Sequence, residues 1–132
     1  MTVDSTLAVA RKYVDAVVAK DFGTVAGLLA DDIIWHQPGE NQLSGTHRGG
    51  PAVDQLLGAM MTISEGTFEL SVTGVPMVNA DHVAIPVHFA GKRSGAELGQ
   101  DGVDVLRIDG DRIVEVRLFS SDQAAEDAFW GV

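Results

Sequence analysis

Apolar residues recur at helical spacing in the first half of the chain and at every second position in the latter half. Leu7, Ala10, Val14, Val17 and Val18 form one stripe of a helix that Asp4 or Ser5 can cap. Tyr13, one turn before Val17, turns its ring inward with that stripe. Phe22, Val25, Leu28 and Leu29 give a shorter second helix, capped by Asp21 and closed by Ala30-Asp31-Asp32. A short strand, Ile33 to Gln37, follows; Pro38-Gly39 stops it, and Glu40 to Gly50 reads as a polar loop. Gly49-Gly50-Pro51 opens a third helix, because proline in a first turn loses no hydrogen bond. Its apolar face is Val53, Leu56, Leu57, Met60 and Met61.

From about Glu65 the period becomes two. Phe68, Leu70 and Val72 read as a strand that ends at Gly74. Val83, Ile85, Val87 and Phe89 alternate with Ala84, Pro86 and His88, and Pro86, which has no N–H, places that strand at an edge or a bulge. Ala90 to Gly95 reads as a turn or loop. Ala96 to Ile108 is a long strand interrupted by Gly99 and Gly102, Asp109-Gly110 is a hairpin turn, and Arg112 to Phe119 is the return strand. Asp122 to Trp130 is a short amphipathic helix with Ala125, Phe129 and Trp130 as its docking residues.

Helices grouped on one side of an antiparallel sheet make an α+β layer. The expected architecture is a cone-shaped α+β barrel: three N-terminal helices packed on a curved, mostly antiparallel sheet, with a short C-terminal helix. The interior would admit a small apolar ligand. A chain of 132 residues makes one domain, 1–132.

Charge narrows the partners. Nine Lys and Arg against 19 Asp and Glu give a formal charge of -10, which disfavours nucleic acid and anionic membranes. Cysteine is absent, so thiolate nucleophiles and disulfides are excluded. No window approaches the roughly 20 apolar residues of a membrane helix, and the first residues lack a signal-peptide pattern. The expected location is cytoplasmic. No dinucleotide fingerprint is present, and Gly45-Thr-His-Arg-Gly-Gly50 is accounted for by a tight start to the third helix as well as by an anion site. No cofactor is expected.

Three residues are candidates for chemistry. Asp104 shares its strand face with Leu106 and Ile108, whereas Val103, Val105 and Arg107 take the other. A carboxyl facing a core is costly unless paired or protonated, and desolvation raises its pKa. If it faces solvent, or pairs with an arginine on a neighbouring strand, it is ordinary. Tyr13 is either a core tyrosine whose hydroxyl reaches water or a carbonyl, or a donor to a developing oxyanion. His36 shares a face with Ile34 rather than with Trp35 and Gln37, and fits a pocket better than a metal site. The scattered histidines show no helical ligand spacing. Trp35, Gln37, Val17, Leu56, Met60, Phe68, Leu106 and Phe119 are the expected pocket walls.

Several short stretches together resemble the ketosteroid isomerase-like superfamily, also called nuclear transport factor 2-like or SnoaL-like. They are Arg11-Lys12-Tyr13-Val14, Ala30-Asp31-Asp32, His36-Gln37-Pro38-Gly39, Ser44-Gly45, His47-Arg48-Gly49 and the late strands around Asp109-Gly110. The resemblance implies a hydrophobic small-molecule ligand, a homodimer through the outer sheet face, and no cofactor. In isomerases of that family a helix tyrosine and a protonated strand aspartate form the oxyanion hole, with an aspartate as base. Tyr13 and Asp104 fall on the first two positions, but Gln37 occupies the base position and glutamine takes no proton. Either His36 serves as base, or Asp104 itself works as acid and base with Tyr13 and Gln37 orienting a carbonyl or a water. The expected activity is a cofactor-independent isomerase or lyase, steroid-isomerase-like or polyketide-cyclase-like; the alternative is a non-catalytic ligand-binding or dimerisation module of the same fold.

Overall fold

The computed structural model describes residues 3–132. Helix α1 spans Val3–Val18 and buries Thr6, Val9, Ala10, Tyr13, Val14 and Ala16. Asp4 and Ser5 thus lie inside its first turn rather than capping it, and Met1 and Thr2, part of the leader reading, lie outside the described residues. Helix α2 spans Phe22–Leu28; Asp21 caps it, its carboxylate accepting from the Thr24 backbone N–H. Strand β1 (Leu29–Gln37) then starts four residues earlier than its apolar pattern predicts. Leu29 already has extended dihedrals and pairs with Ile113, and a register shift between Leu29 and Ile34 absorbs the acidic Asp31-Asp32.

Strand β2 (Gly45–Arg48) lies within the expected loop and pairs antiparallel with β1. It is an edge strand with no buried residue, so the sequence carries no alternation to betray it. Helix α3 (Gly50–Ile63), with Pro51 in its first turn, buries Val53, Leu56 and Met60. Strands β3 (Glu69–Val72) and β4 (Met77–Asn79) both pair with β5 (His82–Arg93). Pro86 sits inside β5, opposite the break between β3 and β4, where its missing N–H interrupts no ladder; its carbonyl accepts from Thr73. The segment expected to turn at Ala90 stays extended to Arg93, paired with Ala96 across Gly95, whose φ of +82° suits glycine. Strands β6 (Ala96–Asp109) and β7 (Arg112–Ser120) form the long hairpin, and α4 (Gln123–Trp130) follows.

The sheet runs β2-β1-β7-β6-β5-β3, with β4 also on β5. This corrects the expected architecture in two respects. The sheet is open and mixed rather than a cone or barrel: β2 and β3 are free edges that never meet, and β1 runs parallel to β7. The edge strands are short, four residues each in β2 and β3 and three in β4. There are four helices, and α4, with eight residues against seven in α2, is a full member of the helical layer. Phe129 and Trp130 belong to the core; Ala125, expected to dock, is exposed.

The core lies between the helices and the sheet face that carries Val83, Ile85, Val87, Leu106, Ile108, Ile113 and Val116, all at or near zero exposure. The opposite face carries Val103, Val105 and Val114, half-buried, among the charged groups of Arg107, Glu115 and Arg117. Arg107 and Glu115 are cross-strand partners, Nε to Oε1 3.5 Å. No helix among the described residues is long and apolar enough to cross a membrane.

Candidate functional site

Three elements bring the polar residues together. The stripe of α1 turns Tyr13 inward at 2 % exposure. In β6 the register sets Asp104 opposite Ile85 on one side and Leu118 on the other, so its carboxyl points with Leu106 and Ile108 into the helix-covered layer. In β1, Trp35 and Gln37 face the same layer because they alternate with His36. The three converge on a cavity of about 70 Å³. Its apolar walls include Val17 and Phe22 from the N-terminal helices, Leu57, Met60 and Met61 from α3, and Phe68, Leu70, Phe89 and Leu118 from the sheet side. Trp130 of α4 completes them.

Against those walls stand few polar groups. Neither the Tyr13 hydroxyl nor the Asp104 carboxyl hydrogen-bonds to another described residue, and each is a buried group beside open space. Burial, and then the charge of Glu126, push the Asp104 carboxyl up to about 7 from its ordinary 3.8. Burial, and then Asp104, hold the Tyr13 hydroxyl well above its usual range, so Tyr13 stays a donor. The side-chain oxygen of Gln37 accepts from Trp35 Nε1 at 3.1 Å, which fixes the amide and leaves its N–H groups as donors beside the cavity. Glu126, on α4, is 5 % exposed and also lines the cavity. It accepts from Ser120 Oγ at 2.6 Å, Gln123 Nε2 at 3.0 Å and Trp130 Nε1 at 3.2 Å. Lys20 is the one cation among the lining residues, and its Nζ donates to the Gly66 carbonyl at 3.2 Å.

Of the residues singled out from sequence, Tyr13, Asp104, Trp35, Gln37, Val17, Met60 and Phe68 line the cavity. His36 does not. Its Nε2 lies 2.7 Å from Glu115 Oε2 on the other face of the sheet, where hydrogen bonding to His36 is the main cause that holds Glu115 below its ordinary range. Leu106 and Leu56 are packed into the core away from the cavity; α3 presents Leu57 and Met61 instead. Phe119 reaches the lining from a strand position on the opposite face, and remains 55 % exposed. Chemistry in the cavity is therefore expected to be indifferent to His36: His36→Gln should leave any turnover within about twofold, and a loss of tenfold or more would mean that His36 reaches the substrate.

Glu126 escaped the sequence reading. It lies three and four residues before Phe129 and Trp130, so the face of α4 that buries those rings must bury position 126 too. That spacing was the available signal. No three His, Asp or Glu side chains converge as a metal site among the described residues.

A mixed sheet covered on one face by helices, with a small apolar pocket between the layers, defines the nuclear transport factor 2-like class of α+β proteins. The sequence profile of the SnoaL-like domain matches residues 10–116, and the chain belongs to that family. It is 49 % identical to a protein of unknown function with a cystatin-like fold from Xanthomonas campestris, over 96 % of this chain and 98 % of that one, with a TM-score of 0.92. It is 29 % identical over 131 residues to an uncharacterized protein of Mycobacterium tuberculosis, covering 98 % of this chain and 99 % of the relative. The fold is also shared with an enzyme, an LEH-like epoxide hydrolase of M. tuberculosis: 20 % identity, 96 % and 92 % coverage, TM-score 0.70.

Proposed function

We propose that this protein is a cofactor-independent isomerase or lyase that moves a proton on a small hydrophobic carbonyl compound. The observation that carries the reading is the pair of buried acids, Tyr13 and Asp104, without hydrogen-bond partners among the described residues and open to one apolar cavity. A carboxyl poised near 7 is about half ionised at neutral pH, the condition for taking and returning a proton with comparable ease. The ionised Asp104 removes a proton from the carbon beside the carbonyl. The C–H electron pair becomes the new C=C bond, and the carbonyl π pair moves onto oxygen, where the Tyr13 hydroxyl and the Gln37 amide donate to it. In a β,γ-unsaturated ketone the enolate extends to a dienolate, and return of the proton from Asp104 to the γ-carbon restores the carbonyl and gives the conjugated isomer; in a dicarbonyl compound the enolate α-carbon attacks the second carbonyl, whose π pair moves to its oxygen and takes the proton from Asp104, and a ring results. This route needs no base at Gln37.

Size limits the ligand. About 70 Å³ is less than the roughly 150 Å³ known to admit a benzene ring. A substrate of even one ring therefore needs Met60 and Met61, unbranched and adaptable, to swing aside. Epoxide opening fits less well, since it would need an arginine beside the aspartate, and Arg107 is engaged with Glu115 on the opposite face. The small volume also favours the second reading, a pocket that binds without turning over.

Deuterium exchange at the α-carbon separates the two. Small cyclic enolisable ketones incubated in D2O and followed by proton NMR should lose their α-proton signal faster with protein present. Tyr13→Phe, which keeps the ring and loses the donor, should slow the exchange by about a hundredfold. Ligand shifts without exchange would establish binding alone.

A further inference from the structure

Among the described residues, the one buried acid that this mechanism leaves unused is Glu126. We infer that Glu126 is a positioning residue: its carboxylate, gripped by three donors at the wall of the cavity that Asp104 also lines, sets Asp104 up to take a proton from carbon. This rests on the proposed reaction for its purpose, though not for its test.

The placement is built from several directions. Ser120, which donates to Glu126, lies two residues beyond Leu118, the β7 neighbour of Asp104, on the same face of the sheet. Glu126 is thus tied to the strand beside Asp104 as well as to its own helix. Three donors meet on its carboxylate, Ser120 Oγ, Gln123 Nε2 and Trp130 Nε1. Helix α4 is itself clamped. Gln42 Nε2 and an Arg93 guanidinium N–H donate to the Trp130 carbonyl, and Asn41 Nδ2 donates to Asp127. The side chain is held in this way at 5 % exposure, on the wall of the cavity that Asp104 also lines.

Nothing else facing Asp104 does this work. Tyr13, from α1, is a neutral donor, and the strand neighbours Ile85 and Leu118 are apolar. Helix α3 offers only Leu57, Met60 and Met61, and β1 only the uncharged Trp35 and Gln37. Lys20, the lining cation, is tethered to Gly66, and His36, Arg107, Glu115 and Arg117 are on the far side of the sheet.

The test is a carbon-13 NMR titration of side-chain carboxyls in the full chain. In Glu126→Gln the Asp104 midpoint should fall by about 1 pH unit, and in Glu126→Asp, which keeps the charge, by clearly less. An Asp104 midpoint that is unchanged in Glu126→Gln overturns the inference. So does a midpoint that falls as far in Glu126→Asp, which keeps the charge, as in Glu126→Gln. Where exchange activity is measurable, the ascending limb of its pH profile should move with the midpoint. Shifted midpoints with no ketone turned over would sink the proposed reaction and leave the carboxyl pair standing.

Discussion

Asp104→Asn is expected to lower ketone α-proton exchange by 10²- to 10⁴-fold, roughly the contribution of a positioned general base. Asparagine matches aspartate in shape, so the variant should fold, and it cannot take a proton at any accessible pH. It should also be more stable than the parent in a definite pH window. Asp104 sits at about 7 in the folded protein and near 3.8 when unfolded, so between those values the folded state binds more protons than the unfolded state. Stability from this group therefore falls as pH rises from about 4 to 7. A difference of about 3 pH units corresponds to roughly 4 kcal/mol as an upper figure. Urea unfolding of parent and variant should then differ little at pH 4, with the variant ahead by roughly 2–4 kcal/mol at pH 8. Wild-type exchange rates in Asp104→Asn would remove Asp104 from the chemistry. Equal stability gaps at both pH values would show that Asp104 is not held protonated by burial.

Trp130→Ala should be the most damaging single truncation, at about 3–5 kcal/mol. Trp130 is fully buried, lies edge-on to Phe129 with ring centres 5.0 Å apart, and packs on Phe68 at 5.7 Å. Its removal opens a void between α4 and the sheet and withdraws one of the three donors on the buried Glu126 carboxylate. The chain should lose roughly 10–25 °C in Tm. Trp130→Phe keeps a ring but loses the Nε1 donor, and should cost only about 1–2 kcal/mol. A loss below about 1 kcal/mol in Trp130→Ala would mean that α4 is not anchored in the core.

Both predictions show where sequence was legible. Helices α1, α2 and α3 could be read because an apolar stripe has one buried side, and β5 and β6 because they alternate around one covered face. The same alternation placed Asp104 with Leu106 and Arg107 opposite, and set His36 apart from Trp35 and Gln37. Tyr13 followed from its place on the α1 stripe. These are local periodicities, and a local pattern survives whatever the chain does elsewhere.

Tertiary structure decided the rest. β2 is polar and lies at an edge, so it leaves no periodic trace. Whether β1 pairs parallel with the last strand, and whether the sheet closes, depends on contacts between residues some 80 positions apart, which no window of sequence contains. The same holds for the choice of Leu57 and Met61 over Leu56 as cavity wall, set by the rotation of α3 on the sheet. Glu126 is the sharpest case. Its charge matters because α4 folds back and Ser120 and Trp130 grip it beside Asp104; the spacing to Phe129 and Trp130 carried a signal for the inward side, but no window of sequence holds the carboxyl that it meets there.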